Sequence, residues 1–148
     1  MLLFVLLGLS WVAAPKGNST PASIVTSVDG HSYDFGSISM ARGKVTTEFL
    51  ITSPTSSPLK ITKVYTSCMC TEATLSVGGR KFGPFGMPGH GIVPSVDTEI
   101  PAGQSAQLLV TFDPAAHGPA GVGKIERAVR VETNGEPLEY QISAFVTP

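Results

Sequence analysis

Leu138-Glu139-Tyr140-Gln141-Ile142-Ser143-Ala144-Phe145-Val146 carries an apolar side chain at every second position: Leu138, Tyr140, Ile142, Ala144 and Val146. Successive side chains of a β-strand point to opposite faces, so this spacing lines one face of a strand with five apolar residues. The pattern recurs upstream. Residues 124–133 offer Val129 and Val131, and residues 104–112 put Leu108, Val110 and Phe112 on one face. Leu59–Thr66 places Leu59, Ile61, Lys63 and Tyr65 on one face and Val64 on the other. Residues 44–52 are rich in β-branched side chains between Gly43 and Pro54, and Tyr33-Asp34-Phe35-Gly36-Ser37-Ile38 alternates large and small.

The spacers are turn formers: the Pro/Ser-rich stretch 53–58, Ile100-Pro101-Ala102-Gly103, and Asn134-Gly135-Glu136-Pro137. Asn134-Gly135 between two good strands predicts a tight hairpin. No twelve-residue window shows a helical apolar stripe. The expectation is all-β: an immunoglobulin-like antiparallel β-sandwich of about seven strands, one domain over residues 23–148, with function in its end loops.

Bulk composition agrees. The 148 residues include 16 Gly and 12 Pro, well above the usual share of about 12% for the two together. Charged residues make up 14%, hydrophobic residues 42%, and the formal net charge is -1. Such a chain fills a core and lacks the clustered cationic excess that phosphate binding needs, so nucleic acid is not expected as a partner. Residues 1–14 (MLLFVLLGLSWVAA) are apolar throughout. As a helix they reach about 21 Å against roughly 30 Å of hydrocarbon, too short to span a membrane. They match the apolar core of a signal peptide, so 1–22 reads as signal peptide and short leader. No Lys or Arg precedes the run, and Pro15 follows Ala14 directly, which is atypical of a cleavage point. The expected location is the periplasm, the cell envelope or the extracellular space. Asn18-Ser19-Thr20 has the form of a glycosylation acceptor.

Residues 78–94 (GGRKFGPFGMPGHGIVP) break the strand rhythm, with nine of seventeen residues Gly or Pro. Each Pro removes a ladder donor and each Gly gives nothing to pack, so the stretch reads as a loop insertion near 78–94 that adds little to global stability. Phe82 and Phe85 within it are candidate partner-binding anchors, or plugs for the open end of the sandwich.

In combination, Asp34-Phe35-Gly36-Ser37-Ile38, Leu59-Lys60-Ile61, Ser67-Cys68-Met69-Cys70-Thr71, Ile100-Pro101-Ala102-Gly103-Gln104 and Val110-Thr111-Phe112-Asp113 resemble the DUF1573 family. The resemblance spans about residues 33–146 and implies an exported bacterial immunoglobulin-like domain. It implies no activity. Met69 stands where the family has Gly between the cysteines, and 78–94 is longer than the family's connection.

Cys68 and Cys70 are the sharpest chemical feature. Two residues apart on an extended strand, their Cα atoms would lie roughly 6.6 Å apart, at the upper edge for a disulfide, so a bridge requires a local turn. The pair is readable as bridged, as free thiols, or as two thiolates on one soft metal ion. Met87 and His90, in the Gly/Pro-rich stretch, would complete a copper(I) site with Cys68 and Cys70. His31 and His117 are scattered in sequence. For an enzyme, the signals are weak. There is no Gly-x-Ser-x-Gly elbow, and Gly86–Gly91 has no following helix. Asp97, Glu99 and Asp113 would have to meet across the fold. The reading is therefore a non-enzymatic exported binding or scaffolding domain without cofactor, whose partner is an unknown protein or cell-envelope component. The alternative is a copper-handling domain.

Overall fold

The computed structural model describes residues 27–28, 30–91 and 93–148; the apolar start, the Asn18 triplet and Ile92 lie outside them. Among the described residues, no helix is long and apolar enough to cross a membrane. The described residues are all-β: β1 (Ser27–Val28), β2 (Ser32–Ser39), β3 (Val45–Thr52), β4 (Leu59–Thr66), β5 (Thr71–Val77), β6 (Arg80–Phe85), β7 (Thr98–Ile100), β8 (Ser105–Phe112), β9 (Gly123–Thr133) and β10 (Leu138–Thr147). Nine of these have three residues or more, against the seven expected. They form two five-stranded sheets, β1-β3-β8-β5-β6 and β2-β10-β9-β4-β7, that face one another as a sandwich. Pairing is antiparallel except for β1 on β3 and β2 on β10.

The alternating residues fill the space between the sheets. Leu108, Val110 and Phe112 of β8 and Tyr140, Ile142, Ala144 and Val146 of β10 are all buried. Phe49 of β3 meets Tyr140 of β10 across the sandwich, their rings 5.1 Å apart. Burial pushes the Tyr140 hydroxyl up to about 12.

Local irregularities account for the departures from expectation. In β4 the register against β9 shifts between Ile61 and Lys63. The bulge exchanges the faces, so Ile61, Val64 and Thr66 point inward, while Lys63 and Tyr65 turn out and Lys63 Nζ sits 5.3 Å from the Tyr65 ring centre. In β2 the register against β10 shifts at Gly36, whose φ is +67° and whose N–H donates to Asp34 Oδ1 at 2.9 Å. The Asp-Phe-Gly motif thus builds a bulge. Asn134-Gly135 is no two-residue hairpin: β9 and β10 are joined by residues 134–137, and Asn134 bonds instead to Lys60 of β4.

The largest correction concerns 78–94, of which Arg80–Phe85 is a strand while 86–91 and 93–94 carry none. Gly78 and Gly79 both take positive φ, as a tight primed turn demands. The chain then runs back along β5 as edge strand β6, where Pro84 leaves no inner ladder donor missing. Phe85 is 1% exposed in the core and Phe82 packs against it.

Candidate functional site

Between β4 and β5 the chain crosses from one sheet to the other in four residues, Ser67-Cys68-Met69-Cys70. The sequence fixes this crossing with hydroxyls. The buried Thr66 Oγ1 lies within hydrogen-bond distance of the Cys68 carbonyl (3.0 Å) and the Thr71 carbonyl (2.9 Å). Ser67 donates its N–H to the Ala128 carbonyl of β9 and accepts the Ala128 N–H on its Oγ, each at 2.9 Å. The Thr71 N–H closes a turn on the Cys68 carbonyl at 3.1 Å. That turn shortens the Cys68–Cys70 Cα separation to 5.3 Å, and the two residues form a disulfide. No non-glycine described residue has positive φ, so Met69 sits at the tip in ordinary backbone, 53% exposed.

The two sulfurs have different surroundings. Cys68 is half-buried; its Sγ lies 3.3 Å from His117 Nε2 and accepts the Cys70 N–H at 3.3 Å. Cys70 is buried; its Sγ accepts from Arg127 Nε at 3.2 Å and lies 3.6 Å from Thr71 Oγ1. His117 is carried by the β8–β9 connection, which Asp113 opens by accepting the Ala115 N–H at 2.9 Å. Gly121 lets that connection close on itself, since a Cβ there would lie 3.3 Å from the His117 Cβ. A concavity of about 200 Å³ beside the bridge is lined by Lys44, Met69, Cys70, Glu72, Thr111 and Asp113, among others.

The structure thus unites Cys68 and Cys70 with His117, and their ligand atoms lie within 4.8 Å of one another. His90 is not in that group. It is exposed, in a turn on the Met87 carbonyl that follows β6. Of the expected set Cys68, Cys70, Met87 and His90, the two cysteines form the bridged pair, and the histidine grouped with them is His117. Phe85 is a core residue and no surface anchor; Phe82 is half-buried beneath the Arg80 guanidinium, 5.1 Å from its ring centre. Asp97 pairs with Lys60 at 3.1 Å. Sequence reasoning missed Arg127. Its signal was parity: Arg127 falls in step with Ile125, Val129 and Val131, so a cation stands on the inward face of β9.

A larger concavity, about 520 Å³, lies on the outer side of the second sheet, lined chiefly by Thr62, Tyr65, Arg130, Glu132 and Glu139. Bonds from Gln141 and then Arg130 hold the Glu139 carboxyl below the usual range. Arg130 is held above its own, first by Tyr65 and then by Glu139.

The family model of DUF1573, described as a protein of unknown function, matches residues 26–78. That span takes in the Asp34-Phe35-Gly36 bulge and the Cys68-Met69-Cys70-Thr71 turn; the motifs at 100–104 and 110–113 lie beyond it. No curated protein matches. Among solved structures, a family 123 glycoside hydrolase from Clostridium perfringens, described for glycolipid glycan hydrolysis, superposes with a TM-score of 0.53 at 7% identity. The match covers 80% of this chain and 23% of the hydrolase, so the chain spans about a quarter of that protein. The likeness is one of fold. The family read from the motifs is the family whose model matches 26–78.

Proposed function

We propose that the chain is a non-enzymatic exported module that binds or scaffolds a protein or cell-envelope component through the loops at its disulfide end. The observation that carries this is Met69. It is 53% exposed at the tip of a turn that Thr66, Ser67 and the Cys68–Cys70 bridge hold in place. A fixed, exposed apolar side chain loses little freedom on docking, which favours binding. Val122, 45% exposed, ends the connection that carries His117 and adds apolar surface to the same end. Export draws support from the bridge, since disulfides persist in oxidising compartments.

Photo-cross-linking in the native host tests the reading. A photoreactive residue at position 69 should give a discrete adduct, and one at 135, in the β9–β10 connection, should give none. Equal labelling from both positions, or no adduct from either, would refute it.

A further inference from the structure

The geometry points to the Cys68–Cys70 bridge as a thiol–disulfide exchange site, opened by a dithiol reductant that attacks Cys68 and displaces Cys70. Three observations converge on this. First, the bridge joins residues two apart. A loop that short restricts the unfolded chain little, and hydrogen bonds from Thr66, Ser67 and Thr71 already hold the turn. The bond is a weak staple. Second, the two sulfurs differ in access: Cys68 is half-buried and Cys70 is 3% exposed, so an incoming thiolate reaches Cys68. Third, each sulfur has a partner suited to its part. Arg127 Nε, 3.2 Å from Cys70 Sγ, stabilises negative charge on the leaving sulfur, and a thiol of lowered pKa leaves faster. His117 Nε2, 3.3 Å from Cys68 Sγ, is placed to hand a proton to Cys68 on its release.

The reductant's first thiolate, its proton lost to water, bonds to Cys68 Sγ as the Cys68–Cys70 bond breaks. That bond's electron pair stays on Cys70, which remains a thiolate against the Arg127 guanidinium. The reductant's second thiol loses its proton to water and attacks its own first sulfur. Cys68 departs as a thiolate and is protonated through His117, which recovers its proton from water. Two electrons and one proton pass to the cysteines, the second proton stays in water, and the reductant becomes a disulfide.

The same three side chains, once reduced, are also a soft-metal ligand set. The Arg127 guanidinium decides between the two, because it already occupies Cys70 Sγ and sets like charge beside any bound cation. The proposal does not depend on the partner-binding reading, and its test needs only the purified chain. The fraction reduced is read by alkylation and intact mass across glutathione buffers, two glutathiones standing in for the dithiol. The bridge should open and close within that range with the circular dichroism unchanged. Arg127→Met should lower the equilibrium constant for opening about tenfold, or 30 mV, and Arg127→Lys should restore part of it. Independently of those variants, Cys70→Ser should form a mixed disulfide with oxidised glutathione at Cys68 at least tenfold faster than Cys68→Ser does at Cys70. A bridge that stays closed in fully reduced glutathione, equal constants for a folded Arg127→Met and the parent, or equal mixed-disulfide rates would overturn the proposal. One copper(I) bound per reduced chain and lost in His117→Ala would replace it with a metal centre.

Discussion

Strand β5 joins two regions that composition ranks the wrong way round. At its start, Ser67-Cys68-Met69-Cys70 carries a buried cysteine and a covalent bridge. At its end, Gly78-Gly79 leads into a Gly/Pro-rich stretch that promises nothing to pack. Yet the second region puts Phe85 into the core, while the first is held by hydrogen bonds within its turn and to β9 and points Met69 at solvent. Composition reports how a backbone can bend. Whether a segment stabilises the fold depends on one or two side chains that reach the interior.

Removing the Phe85 ring should therefore have the largest effect. Phe85→Ala empties a core position that is 1% exposed, at a cost of about 3–5 kcal/mol. Urea unfolding measures it, and a loss below about 1 kcal/mol would return β6 to the status of a loop. Replacing 79–92 by a short turn should cost at least as much, since Phe82 and Phe85 both go. Gly83→Ala comes next. Its φ is +110°, and an added Cβ would lie 2.9 Å from the Ala73 carbonyl oxygen, a backbone atom of the neighbouring strand. The strain should cost about 2 kcal/mol in a thermal melt. An unchanged melting temperature would show that β6 yields without consequence and is only loosely attached.

The double variant Cys68→Ser/Cys70→Ser probes the other end of β5. Chain-entropy reasoning for so short a loop gives about 1–2 kcal/mol, less than loss of the Phe85 ring. A loss above about 3 kcal/mol would make the bridge a staple and erase the contrast between the two regions.

How much of this was legible follows from where the chain is regular. Leu108, Val110 and Phe112, and Tyr140 through Val146, alternate without interruption, and their strands and inward faces were readable directly. β4 was readable as a strand but not in its faces beyond Ile61, because a bulge is a two-strand event and leaves no mark in one strand's own spacing. β6 hid behind Pro84, which only an edge position tolerates, and edge position is a property of the assembled sheet. Its signal was nonetheless present: Ala73, Leu75 and Val77 alternate straight into Gly78-Gly79, a hairpin turn pair. At the site, the cysteines were legible and the need for a turn followed from their spacing. His117, 49 residues from Cys68, was not, since only the folding of the β8–β9 connection brings them together.

The smallest expected change in stability, from Met69→Gly, separates fold from function most cleanly. Gly83 must be glycine because its backbone lies in the left-handed region against another strand; Met69 lies outside that region, so glycine there relieves no strain. The substitution gives the unfolded chain extra freedom and removes a side chain already 53% exposed. The loss should stay below about 1 kcal/mol, a few degrees of melting temperature for a domain of this size, with the bridge still forming. A gain in stability would mean that the turn prefers a glycine conformation and that Met69 holds it under strain. With the fold so little disturbed, Met69→Gly should still compete poorly with the parent chain for the adduct captured at position 69. Equal competition would move the contact off the turn tip and onto Val122 or the sheet edges.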